Sequence, residues 1–238
     1  MRISVIIPTL NEAQNVSELL PLLKHELKDV SHEIIVVDAD SSDNNARIAA
    51  DLGAIALTEL KKSRADQMNE GAAIAKGEIL YFVHADSRPP VGFFSDILQA
   101  FSQGFDIGCF RFQFDSSSLL LKVNSYFTRF NREMCRGGGQ TLFVKKLNIN
   151  RLCGYNGELR IMEEYDFLRK AKKKLKFKII PKDVTVSARK YEENSYFRVN
   201  LANLLLFTSY KVGVSQERLL KLYKFLIKHP KPEVVECV

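Results

Sequence analysis

The chain has no apolar stretch long enough to cross a membrane: "LLLF" at 204–207 falls far short of the ~20 residues a bilayer requires. At the start, "ISVII" (3–7) is cut off by Pro8, so no secretory leader is expected. The 4 cysteines (Cys109, Cys135, Cys153, Cys237) contain no C-x-x-C pair, which argues against a zinc site and for reduced thiols in a cytoplasmic protein. No zinc-finger or RNP pattern accompanies the basic residues, so a nucleic-acid partner is not expected. "PTLNEAQ" holds no glycine, which excludes the G-x-G-x-x-G turn of a dinucleotide-binding dehydrogenase, and the P-loop G-x-x-x-x-G-K-[ST] is missing as well. Internal repeats, low-complexity tracts and linkers are also lacking.

What is there fits a soluble globular chain: 238 residues, 46% hydrophobic and 26% charged, enough to bury one substantial core. The formal charge of +7 points to an anionic partner, whether nucleic acid, an acidic membrane surface or substrate phosphates, against the ordinary reading of a solvated lysine face. The excess gathers late, in "RKAKKKLKFK" (169–178) and in Lys211, Arg218, Lys221, Lys224, Lys228 and Lys231.

Short β-branched runs alternate with helical spacing through the first half. Strands are expected at 3–7, 33–37, 54–58 and 78–83, with helices over about 13–28, from near Asp43, and from an N-cap at Ser63 to about Ala75. This alternation implies a doubly wound, mostly parallel sheet. Further on, "VGFFSDILQAF" reads as a helix, "IGCFRFQF" (107–114) as a half-exposed strand and "RGGGQ" (136–140) as a φ-positive loop. A helix over about 162–174, strands "FKII" and "VTVS", and two helices meeting at Gly213 and Ser215 complete the chain. The expected organisation is one domain over 1–238: a nucleotide-binding half (1–88), an acceptor and catalytic half (89–190) and C-terminal helices (191–238).

Ligands of open parallel sheets bind beyond the carboxyl ends of the strands. Those ends carry "PTLNE", "DADSSD" and "HADSRPP", with Arg64 at a helix start, so Asp38, Asp40, Asp43, His84 and Asp86 collect along one rim. Polar residues at strand ends are ordinary, but carboxylates clustered beside an arginine suit a divalent cation bridging phosphate oxygens, with Asp86 as a ligand for Mg²⁺ or Mn²⁺.

"SVIIPTLNEAQNV", "EIIVVDADSSD" and "SRADQMNEGAAIAKGEILYFVHADS" resemble family-2 glycosyltransferases of the GT-A fold, in a compact soluble bacterial subgroup that writes H-A-D where others write D-x-D. The resemblance continues through "GGGQTLFVKK", "IMEEYDFLRK", "SARKY" and "GVSQERLLKLYK". It implies inverting transfer of a sugar from a nucleotide-diphosphate donor, UDP-sugar for preference, to an acceptor hydroxyl, with a divalent metal. It places Pro8, Leu10, Glu12 and Asp38 around base and ribose, and Arg64 near the phosphates. Asp86 would be the direct metal ligand. His84 would touch nucleotide, ribose or a metal-bound water, and Arg189 would close over the diphosphate. Glu164 stands at the second position of the family's E-D pair, as Glu, and would be the general base, with Glu163 and Asp166 as alternatives; Gln140 and Glu163 would face the acceptor or diphosphate. "GGGQ" departs from a G-D-Q-like pattern.

The expected activity is therefore metal-dependent glycosyl transfer in the cytoplasm. Its alternatives are a nucleotide-sugar-binding protein with impaired catalysis and a basic membrane-surface binder. Peripheral membrane contact at the inner face is a further expectation, through the C-terminal helix: Leu219, Leu222 and Leu226 form an apolar stripe beside Lys221, Lys224 and Lys228. The ordinary reading of that stripe is packing on the domain.

Overall fold

The structure is a computed structural model that describes residues 1–59, 63–136 and 140–228. β1 (Ile3–Thr9), α1 (Ala13–Glu26), β2 (His32–Asp38), α2 (Asn45–Asp51), β3 (Ile55–Thr58), α3 (Arg64–Ile74) and β4 (Ile79–Phe82) alternate along the first half. The second half adds β5 (Ser87–Arg88), α4 (Phe93–Ser102), β6 (Ile107–Phe114), α5 (Leu119–Phe127), β7 (Leu142–Lys145), α6 (Lys146–Arg151) and α7 (Glu163–Lys172). β8 (Phe177–Val186), α8 (Arg189–Glu193), α9 (Tyr196–Lys211) and α10 (Gln216–Leu226) follow.

Among the described residues the strands form one 8-stranded sheet in the order β3-β2-β1-β4-β7-β6-β8-β5. β3, β2, β1 and β4 are mutually parallel, β7 runs antiparallel between β4 and β6, and β6 and β8 are again parallel. This is the mostly parallel α/β architecture that the resemblance implies. Both faces are covered, which is why β1, β2 and β4 read as unbroken apolar runs. Ile3, Val5, Ile7, Ile34, Val36 and Tyr81 pack against α1, α2 and α4, while Ile6, Ile35, Val37, Leu80 and Phe82 pack against α3, α6 and α7.

β1 continues through Pro8 to Thr9, so Pro8 does not end the strand; it lies buried, paired in register with Val37. Ile6 and Pro8 direct their backbone groups toward β4, and β4 has already ended opposite Ile6, so the missing N–H leaves no ladder bond unmade. α3 sits close to the sheet because Gly71 has no side chain: a Cβ there would lie 2.5 Å from Ile6 Cγ2.

Other expectations need correction. The helix near Asp43 begins at Asn45, and the Asp43 carboxylate serves two helix starts: one oxygen accepts from the Asn45 N–H at 3.2 Å and the other from the backbone N–H of Ala13 at 2.8 Å, capping α1 as well. "FKII" and "VTVS" are one strand: pairing with β6 steps from Ile180 to Asp183, and the bulge holds Pro181. Ser215 occupies the N-cap position of α10 with no side-chain cap hydrogen bond, although Gly213 takes the expected left-handed turn at φ 82°. The leucine stripe of α10 faces inward, with Leu219 fully buried and Leu226 packed on Val199 and Ala202 of α9, so it is not available to a bilayer. Gly137–Gly139 of the expected loop, Lys231 and Cys237 lie outside the described residues.

Candidate active site

The carboxyl ends of β1, β2 and β4 meet the starts of α3, α7 and α8 at one rim. Two loops there are pinned from beneath: Gln67, buried in α3, donates to the carbonyls of Thr9 (2.8 Å) and Val37 (2.6 Å). Across the top, the Asn11 side-chain carbonyl accepts from the Ser42 N–H at 2.9 Å. Asn11 takes φ 52°, a conformation that asparagine tolerates better than most residues.

Asp38 was expected to face base or ribose. It is 2% exposed, and its oxygens are occupied by Asn45 Nδ2 (2.6 Å), Thr9 Oγ1 (3.3 Å) and the Ser41 N–H and hydroxyl. It holds the turn from inside because the strand end turns its side chain down, and it has no exposed surface for a ligand. Leu10 is half-buried at the loop start.

Glu12, Asp86 and Arg189 form the outer part of the rim. Arg189 Nη2 lies 2.5 Å from Glu12 Oε1 and 3.5 Å from Asp86 Oδ2. Burial opposes the Arg189 charge, but the hydrogen bond and field of Glu12, with Asp86 behind them, hold its pKa above the ordinary value. The guanidinium thus closes over two carboxylates, where the sequence led us to expect it over phosphate.

The inner part centres on the start of α7. His84 Nε2 lies 2.8 Å from Glu164 Oε1, across 80 residues of sequence. Burial works to raise the Glu164 carboxyl, but the His84 ring and then Arg64 outweigh it and leave the pKa below the usual carboxylate value. An ionised carboxylate only accepts, so the proton on Nε2 points at Glu164, and Oε2 is left for another donor. His84 is thereby turned toward the acid. Glu163, next along, is 4% exposed and takes a hydrogen bond from Arg64 at 3.3 Å. Burial raises its pKa, and Arg64 only partly offsets that. Glu163 holds Arg64 and does not open toward an acceptor. Asp166, buried in α7, is tied to Arg169 (2.9 Å) and Lys170 (2.7 Å) and also accepts from the Tyr210 hydroxyl at 3.3 Å.

Gln140 is buried beside a small cavity of about 20 Å³, lined by His84, Glu164, Phe82 and Tyr155, with room for one water-sized group. Its Oε1 accepts from Arg136 at 3.2 Å, and its Nε2 is buried without a hydrogen-bond partner.

Sequence reasoning passed over Lys190. It is half-buried over the Tyr223 ring at 5.3 Å, and desolvation together with the neighbouring Arg64 pushes its pKa down to about 8. Among the described residues no carboxylate forms an ion pair with it. Two adjacent cations, one of them desolvated and without a counter-charge, make a place for an anion. The signal in the sequence was the doubled basic pair in "SARKY", but which member faces the rim depends on the turn of a five-residue helix.

Among the described residues no three His, Cys, Asp or Glu side chains converge as a metal cage. Asp86 is partly exposed, with its side chain 30% accessible, and shares the Arg189 guanidinium with Glu12. That donor set fits a hard cation that draws most of its oxygens from a bound diphosphate, and does not fit one held by protein alone.

Comparison with known proteins settles the family. Residues 4–156 match the family described as "Glycosyl transferase family 2". The chain belongs to glycosyltransferase family 2. Among characterised relatives, dolichol-phosphate mannosyltransferase of Pyrococcus furiosus is 30% identical over 112 residues, 45% of this chain and 32% of that protein. An uncharacterised protein of Mycobacterium tuberculosis, MT1568, is 29% identical over 150 residues, 60% of this chain and 47% of its own. The chain thus spans a third to a half of these relatives. Among solved structures, mannosyltransferase PcManGT of Pyrobaculum calidifontis, in complex with GDP-Man and Mn²⁺, superposes with a TM-score of 0.68 at 18% identity, covering 99% of this chain and 72% of that one. S. aureus TarS 1–349 in complex with UDP gives 0.63 at 16% identity, covering 93% and 69%. At these identities the likeness is one of fold.

Proposed function

We propose that this family-2 member transfers a sugar from a nucleoside-diphosphate donor to an acceptor hydroxyl with inversion, and that Glu164 is the general base. The observation that carries the reading is the His84–Glu164 pair, 2.8 Å apart beside a small cavity and next to a cation-lined rim. The acceptor oxygen attacks the anomeric carbon from the side opposite the diphosphate. Its proton passes to Glu164 Oε2, and the bond from carbon to the diphosphate oxygen breaks with the electron pair leaving on phosphate. Arg64 and Lys190 meet that charge, which is preorganised electrostatic stabilisation in a site where both side chains already stand. Asp86 would hold a divalent cation, Mn²⁺ or Mg²⁺, on the diphosphate; the cation would supply further charge neutralisation. Arg189 then has two carboxylate partners to exchange: released from Asp86, it can turn to phosphate while Glu12 keeps it in place.

UDP-sugar is the donor we favour, because TarS, a neighbour of the same fold, was solved in complex with UDP. GDP-mannose in PcManGT makes the purine donor the comparison to run. A thermal-shift screen of UDP- and GDP-sugars with Mn²⁺ tests the reading: a rise in Tm with one nucleotide class supports it, and no rise with any nucleotide removes it.

Two further outcomes follow from the geometry. In His84→Ala, burial is left less opposed at Glu164, so its pKa rises. Since the base works ionised, activity is lost as pH falls through that pKa, and the acid limb of the kcat/KM profile moves to higher pH. An unmoved limb would detach His84 from the base. Lys190→Ala is expected to weaken nucleoside-diphosphate binding by about ten-fold or more while leaving nucleoside binding nearly unchanged, because a charge-assisted contact to phosphate is worth about 1.5–3 kcal/mol. Isothermal titration with UDP and uridine checks both halves.

A further inference from the structure

α9 is apolar on both sides. Val199, Ala202 and Leu206 are buried, yet on the opposite face Phe197 is 74% and Leu201 is 54% exposed, with Leu205 beyond them. A helix that is apolar all round is ordinarily enclosed on all sides. α5 repeats the pattern: Leu121 is its buried residue, while Val123, Phe127 and, just past its end, Phe130 are exposed. The two helices are joined by Asn124, whose Nδ2 donates to Asn200 Oδ1 at 3.2 Å and whose Oδ1 accepts from the Tyr196 hydroxyl at 2.8 Å. That seam brings the two helices together, each with exposed apolar residues, in one apolar region of the surface that serves as a platform. Contiguous exposed apolar area of this kind marks an interaction surface.

We propose that this platform docks onto an anionic lipid bilayer. Charge selects that occupant. Lys122, Arg129, Arg132 and Arg198 stand exposed in the two segments, and neither 119–132 nor 196–211 contains a single Asp or Glu. The first acid beyond α5, Glu133, is already paired with Lys211. A basic border around an apolar face complements anionic headgroups over a hydrocarbon boundary. A second copy of the chain fits poorly, because a two-fold contact would set each copy's cations against the other's. The aromatic residues also suit an interface: Tyr126 and Phe130 cluster at 5.9 Å, and the Arg129 guanidinium stacks 3.6 Å over the Tyr126 ring, a polar edge on an apolar body. The surface differs from the leucine stripe of α10, which is turned inward. It also borders the catalytic end, since Phe207 of α9 packs on Tyr165, the residue after Glu164, at 5.4 Å.

The test is flotation of the full chain with vesicles, a readout that does not depend on sugar transfer. The protein is expected to float with vesicles of equal parts phosphatidylglycerol and phosphatidylcholine at low salt, to be released by raising the salt, and to stay behind with phosphatidylcholine alone. Lys122→Ala and Arg132→Ala should each lower partitioning about five-fold. Leu201→Asp should lower it further, with thermal melting unchanged because the residue is exposed. Failure to float with the anionic vesicles overturns the proposal. So does a dimer, seen by light scattering, that Leu201→Asp dissolves, since the face would then belong to protein.

Discussion

Glu164→Gln is expected to leave donor binding near wild type and to cut sugar transfer by a factor of about 10² or more, within the 10²–10⁴ that a positioned general base contributes. Glutamine keeps the shape and can still accept from His84 Nε2 through its carbonyl, so the 2.8 Å contact need not be lost. What it loses is the ability to take a proton at the second oxygen. The nucleotide rim is untouched, so binding and chemistry separate. Glu163→Gln and Asp166→Asn are the controls. Glu163 is engaged by Arg64, and its substitution frees that cation from its partner; the loss should appear in donor binding before it appears in turnover. Asp166 is held by Arg169 and Lys170, and its substitution should leave both nearly unchanged. Steady-state rates together with donor titrations distinguish the three. A fully active Glu164→Gln with a dead control would move the base to that control.

Removal of divalent metal should produce the second large effect. With Mn²⁺ or Mg²⁺, a nucleoside diphosphate at about a hundred-fold excess over its Kd should stabilise the fold by about 2.7 kcal/mol, on the order of 5–10 °C in Tm for a chain of this size. In EDTA most of that shift should disappear, because Glu12 and Asp86 present negative charge to the phosphates and only Arg189 stands between them. Asp86→Ala should make the shift the same with and without metal, since the other carboxylate of the rim, Glu12, is engaged by Arg189 at 2.5 Å. An equal shift in EDTA and in Mn²⁺ with the wild-type chain would leave the cations of the protein, Arg64, Lys190 and Arg189, as sufficient for the diphosphate.

The parallel half of the sheet was legible because strands covered on both faces must be continuously apolar, and β1, β2 and β4 are. Ser63 was legible for a local reason, its hydroxyl accepting from the Asp66 N–H at the start of α3. Elements whose pairing is decided at long range were not. β7 is four residues long and raised no strand expectation; it is a strand because β4 and β6 flank it. β8 looked like two strands because Pro181 and Lys182 break its pattern, and only the partner strand shows that they bulge from one ladder. At the site, strand ends located the rim, but local sequence cannot tell which way a side chain turns. Asp38 points in, Arg189 reaches back to Glu12, and His84 meets an acid 80 residues away. Lys190 was hidden for the same reason, one position along a short helix from the arginine that drew the attention.

The stereochemical course of transfer tests the central claim most directly. With Mn²⁺ and an α-linked UDP- or GDP-sugar chosen by the thermal-shift screen, water can serve as the slow acceptor, and proton NMR can record the first-formed free sugar before it equilibrates. In-line attack by a hydroxyl that Glu164 deprotonates predicts the β anomer, at a rate that falls about 10²-fold or more in Glu164→Gln. The α anomer as first product, or β-sugar release that is unchanged in Glu164→Gln, would contradict it.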